Sequence, residues 1–122
     1  MANTSEFPVV FKELKKILMP YATRLTVTAD TNEGYSLDGP YSEKWRKPVF
    51  FGAVHIKKNY VSFHLMPVYM FPELLNNMSP ELKKRMQGKS CFNFKKVEPE
   101  LFKELSGLAR KSADRFKKEN ES

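Results

Sequence analysis

His55, His64 and Cys91 have the widest chemical range in this chain, which contains two histidines and one cysteine. Imidazole and thiolate together suit zinc, copper or iron, and a thiolate beside an imidazole is also a nucleophile beside a base. Neither chemistry is complete in the local pattern. Metal sites usually hold three or four ligands, and no Asp or Glu alternates into the segments that carry these three residues. A Cys/His pair also needs a third group to orient the base, and none is supplied. The chain therefore reads as a non-enzymatic binding domain with no predicted cofactor, and a metal ion at His55, His64 and Cys91 stands only as a secondary reading.

These residues share a face only if the elements beneath them pair in one register. Val49 to Lys57 and Tyr60 to Val68 are two apolar, β-branched and aromatic runs separated by Lys58 and Asn59, the pattern of a hairpin with a two-residue turn. That turn pairs Ile56 with Val61, His55 with Ser62, Val54 with Phe63, Ala53 with His64 and Phe51 with Met66. Alternation then puts Phe50, Gly52, Val54, Ile56, Val61, Phe63 and Leu65 on a core face and both histidines opposite, with Tyr60, Ser62 and Met66. A slip of one residue would turn Val61, Phe63 and Leu65 outward, so burial favours the two-residue turn. Cys91 to Lys96 reads as a later strand, with Cys91, Asn93 and Lys95 joining the polar face and Phe92 and Phe94 the core.

This polar face is a candidate site for a small anionic or aromatic ligand. Lys57, Tyr60, His64, Asn93 and Lys95 supply hydrogen-bond donors, and Trp45 or Phe51 supplies a wall. A competing surface lies in the basic C-terminal third. The formal charge is +7, and Lys83 to Lys118 holds twelve Lys/Arg against four Asp/Glu, while the rest holds nine against ten. Lys103, Arg110 and Lys117 recur at seven on the last helix and form a stripe for nucleic-acid phosphates, interrupted by Glu100, Glu104 and Asp114. No Gly-rich phosphate loop, zinc-finger spacing or aromatic RNA-binding signature accompanies them. A third reading is a homodimer through apolar residues such as Met66, Met70, Phe71 and Met78.

The length of 122 residues supports one core and one domain spanning 1–122, frayed at 1–5 and 119–122. Ser5 caps a first helix with Val10, Phe11, Leu14, Ile17 and Leu18 on one side, and Pro20 stops it. Arg24 to Asp30 and Tyr35 to Leu37 form a hairpin that Asp38-Gly39-Pro40 breaks, and Tyr41 to Lys47 is a polar connection. Phe71 to Leu75 and Ser79-Pro80-Glu81 begin two short helices, the second stopped by Gly88. A final helix runs from about Pro99 to about Lys118. The fold class is α+β: an antiparallel sheet with N-terminal and C-terminal helices and two short helices before the last strand. The longest apolar run falls short of the ~18 residues of a membrane span. With no apolar leader and a lone cysteine, the expected location is the cytoplasm, without membrane partners.

Phe51-Gly52-Ala53-Val54, Tyr60-Val61-Ser62-Phe63-His64, Phe71-Pro72-Glu73-Leu74-Leu75, Gly88-Lys89-Ser90-Cys91-Phe92-Asn93-Phe94-Lys95 and the closing helix resemble the YdhG-like family, a domain family of unknown function. The likeness covers roughly Lys47 to Lys118 and contains no catalytic motif. It implies a small α+β domain with helices packed on an antiparallel sheet. One branch is described as an intracellular iron chaperone, a role served by exposed carboxylates, whereas this chain is basic over its C-terminal third. Upstream, Tyr35 to Lys47 stands where the family has a strand with a Gly-Met-Pro turn.

Overall fold

The computed structural model describes residues 6–43 and 46–120, with side chains left aside at 40–42 and 118–120. The order is helix α1 (Phe7–Leu18), strands β1 (Thr26–Asp30), β2 (Gly34–Ser42), β3 (Lys47–Ile56) and β4 (Val61–Leu65), helices α2 (Met66–Met70) and α3 (Pro80–Lys83), strands β5 (Met86–Gln87) and β6 (Cys91–Phe94), and helix α4 (Pro99–Asn120). One antiparallel sheet has the order β1-β2-β3-β4-β6-β5. The architecture is the α+β class read from the sequence.

Helix α1 buries Phe7, Val10, Phe11, Leu14, Ile17 and Leu18, spaced three and four apart along one stripe. These join Val54, Val61, Phe63, Leu65, Phe92 and Phe94 from the sheet and Leu101, Phe102, Leu105, Leu108 and Phe116 from α4 in one apolar cluster. Each fully buried Phe or Leu stabilises the fold by about 1.5–3 kcal/mol relative to an exposed one. Buried apolar residues of all four helices belong to this one cluster, so the sheet has one covered face and one half-exposed polar face. Polar ties fix the rest. The Glu104 carboxylate accepts from the backbone N–H of Ser79 at 2.7 Å and from its hydroxyl, holding α3 to α4, while Ser79 itself caps α3 by accepting from Leu82 N. Arg115 sits over the Phe71 ring at 4.3 Å and reaches Glu73 at 3.3 Å.

Several local expectations need correction. Helix α1 does end ahead of Pro20, at Leu18, but the chain continues through Pro20 in a 3-10 turn, Met19–Thr23, rather than leaving helical geometry at once. The N-cap position of α1 is Glu6, without a side-chain cap bond, and Ser5 lies outside the described residues. Asp38-Gly39-Pro40 does not break β2, which runs on to Ser42 and makes the polar connection much shorter than expected. The reason is that β1 pairs only as far as Asp38, so beyond that point β2 has a neighbour on one side alone, and a register shift between Asp38 and Tyr41 absorbs Pro40. At the other end, β4 stops at Leu65 and Met66 to Met70 turn helical. Strand β4 lies between β3 and β6, where Pro67 could not donate to a ladder, whereas the first turn of a helix accepts it. Gly88, expected to end a helix, adopts φ +75° in the turn between β5 and β6.

A bulge in β3 overturns two side-chain assignments. Leu37 pairs with Gly52 but Asp38 pairs with Phe50, leaving Phe51 as the extra residue. Phe51 is thereby fully buried, with its ring 5.8 Å from Tyr21 and 5.3 Å from Phe116. Phe50 turns to the polar face, its ring 5.0 Å from that of His64. Phe50 is therefore not a core residue, and Phe51 is not a wall of the polar face.

Two glycines test this packing in opposite directions. A Cβ on Gly39 would collide with the Phe116 ring, so Gly39→Ala should destabilise the protein by about 1–3 kcal/mol in urea denaturation; an unchanged midpoint would contradict the seating of α4 on β2. Gly107, exposed in α4, faces open space where a Cβ would stand, so Gly107→Ala should stabilise by about 0.5–1 kcal/mol in the same measurement.

Candidate functional site

The β3–β4 hairpin has the two-residue turn, with Lys57 N–H donating to Tyr60 O at 2.8 Å, and Ile56, His55, Val54 and Ala53 opposite Val61, Ser62, Phe63 and His64. Strand β6 adds Cys91 beside His64 and Asn93 beside Ser62. One polar row thus crosses the sheet as Ser36, Ala53, His64, Cys91 and Gln87, and the next as Gly34, His55, Ser62 and Asn93. The register brings His55, His64 and Cys91 to one face, with His64 and Cys91 directly across from each other and His55 diagonal to His64.

Each histidine has a structural occupation. The His55 ring lies so close over Gly34 that a Cβ there would come within 2.9 Å of Nδ1. Nε2 of His64 shares a hydrogen bond of 2.7 Å with Oγ of Ser90, a buried serine, and Phe50 meets the His64 ring edge to face. Burial lowers both imidazole pKa values, helped at His64 by the charge of His55 and at His55 by that of Lys57. Among the described residues, no group of three or more His, Cys, Asp and Glu side chains is placed to hold a metal ion.

The ligand-site residues divide. Tyr60, Asn93 and Lys95 line a groove of about 760 Å³ at the β6 end of the sheet, together with Lys84, Arg85 and Lys96. Lys57 and His64 lie on neighbouring parts of the face but do not line the groove, and Trp45 lies outside the described residues. Arg85 is committed to Glu98, donating from Nε and Nη2 to the two carboxylate oxygens at 2.7 Å each, and this bond raises its pKa further. Lys84, Lys95 and Lys96 are exposed and make no ion pair among the described residues. Against them the groove has Glu6 as a carboxylate outside the Arg85 pair. Asn93 donates from Nδ2 to Gln87, while its Oδ1 is a buried acceptor without a partner.

Lys96 reads from the sequence only as the end of a strand, and Lys84 and Arg85 only as cations near the basic α4 stripe, not as groove residues. Their signal was Gly88: as a turn residue it folds Met86-Gln87 back on β6 and brings Lys84 and Arg85 alongside Asn93, whose N–H donates to Arg85 O at 2.8 Å. Lys103, Arg110 and Lys117 are exposed on α4, and Lys103 borders a separate pocket of about 260 Å³ with Glu104 and Lys111. Of the apolar residues read as a dimer surface, Met70 is 39% exposed, Phe71 is half-buried under Arg115, and Met78 packs against the core. No helix among the described residues is long and apolar enough to cross a membrane. Comparison with protein-family models, with curated proteins and with solved structures finds no match.

The histidines make stability depend on pH. Their folded-state pKa values lie below the ordinary 6.5, so the unfolded chain takes up protons that the folded imidazoles refuse. Their contribution is fully present above 6.5 and is lost as pH falls through the folded values. Urea midpoints should therefore drop over that window, and the His55→Gln/His64→Gln double variant should flatten the drop; an equal slope in the variant would assign it to other groups.

Proposed function

We propose that this chain is a non-catalytic binding domain whose groove beside β6 receives a small anionic ligand. The observation that carries the proposal is the convergence of Lys84, Lys95 and Lys96, none held by a carboxylate, on a groove that Tyr60 and Asn93 also line. Uncompensated ammonium groups repel one another, and an anion between them relieves that repulsion while gaining charge-assisted hydrogen bonds. The groove falls within the ~300–1,000 Å³ of small-molecule sites. The Arg85–Glu98 pair serves as a rigid wall, because both of its charges are already satisfied. His55, His64 and Cys91 act in this reading as the supporting face, with His64 held by Ser90 and Phe50.

Pyrophosphate is a suitable probe. Titrated into labelled protein, it should move the backbone amide resonances of Tyr60, Asn93, Lys95 and Lys96, and the Lys95→Glu/Lys96→Glu variant should lose the response while remaining folded. Saturable shifts confined to α4, or none at all, would refute the groove as an anion site.

A further inference from the structure

We propose that the half-exposed sheet face binds single-stranded nucleic acid, taking phosphates along Lys57, Lys84, Lys95 and Lys96 and bases against Tyr60, His55, His64 and Phe50. This rests on the anion-binding reading of the groove and extends it from a small ion to a polymer.

The first support is the ring arrangement. Tyr60 and His64 are four residues apart on one side of the β4 segment, about 13 Å along an extended chain. His55 lies between them on β3, opposite Ser62, and Phe50 continues the series past His64 at a ring separation of 5.0 Å. All four side chains are partly exposed, on the face of the sheet away from the helices. A row of partly exposed rings on a sheet offers stacking surface to unpaired bases, and such stacking tolerates any sequence because every base has a π-face. The rings of a shallow sheet face cannot reach bases that are stacked inside a duplex.

The second support is the charge arrangement. Lys57 flanks the β3–β4 turn beside Tyr60, and Lys95 and Lys96 follow β6 on the adjacent strand, with Lys84 across the groove. The positive charge therefore runs along one end of the ring row. Asp38, which pairs opposite Phe50, marks the other end as unsuited to phosphate. Both imidazoles are kept neutral near neutrality, so they present rings while the lysines present charge. The α4 stripe of Lys103, Arg110 and Lys117 contains Asp114 within it and has no exposed ring beside it among the described α4 residues, which makes it the poorer track.

Fluorescence anisotropy with a labelled oligothymidylate of about twelve nucleotides tests the proposal across a salt series. The expected result is binding that weakens with salt and favours the single strand over a duplex of equal length. Tyr60→Ala should weaken it about fivefold or more while Tyr60→Phe retains it. Lys95→Glu/Lys96→Glu should abolish it, and Lys103→Glu/Arg110→Glu/Lys117→Glu should leave it unchanged. Equal affinity for duplex, indifference to Tyr60→Ala, or loss of binding in the α4 variant would overturn the proposal. Absence of oligonucleotide binding alongside pyrophosphate shifts at the groove would overturn it and leave the small-anion reading standing; absence of both would overturn the two together.

Discussion

The register of the β3–β4 hairpin is the constraint on which the rest depends. Side chains alternate with a period of two, so one residue of slip would place Val61, Phe63 and Leu65, all fully buried, in water and bring His64 and Ser62 against α1. Burial of three such side chains is worth several times ~1.5–3 kcal/mol, well above what a turn preference contributes. The apolar face selects the register, and the arrangement of the polar face follows from it. Lys57 and Tyr60 close the turn, and the hydrogen bond between them puts a lysine and a tyrosine at the end of the sheet where β6 delivers Lys95 and Lys96.

The same division of faces explains why the histidines are quiet and the lysines are not. His55 and His64 lie amid the sheet, where loss of water disfavours their charged forms and where Gly34, Ser90 and Phe50 occupy them. The lysines stand exposed at the rim, with their ammonium groups in water. Arg85 shows the alternative fate of a cation at that rim: a bidentate carboxylate partner converts it from a ligand group into part of the framework. Charge available for binding is thus set by which cations lack a carboxylate.

Much of this was legible in the sequence, because strong patterns carried it. The α1 stripe, the hairpin register and the apolar face of α4 all follow from periodicities that one packed face enforces. The failures arise where a tertiary neighbour decides. Pro40 is tolerated because β1 has already ended, whereas Pro67 is not tolerated in a strand flanked on both sides. Phe50 and Phe51 exchange faces because an extra residue in β3 resets the alternation, which no local pattern announces. In the groove, Tyr60, Asn93 and Lys95 were legible from alternation, while Lys84 and Arg85 depended on a two-residue strand, β5, too short to carry a period.

The most direct measurement is of cross-strand Hα–Hα contacts by nuclear Overhauser spectroscopy on the labelled protein. Lys57 and Tyr60 form a hydrogen-bonded pair, so Ile56–Val61 and Val54–Phe63 are the close, non-hydrogen-bonded pairs, with Cα atoms about 4.5 Å apart. Strong Hα–Hα contacts between Val54 and Phe63 and between Ile56 and Val61 are the expected result. Contacts from Val54 to Ser62 or to His64 instead would contradict the register, and with it the division of the sheet into a core face and a binding face.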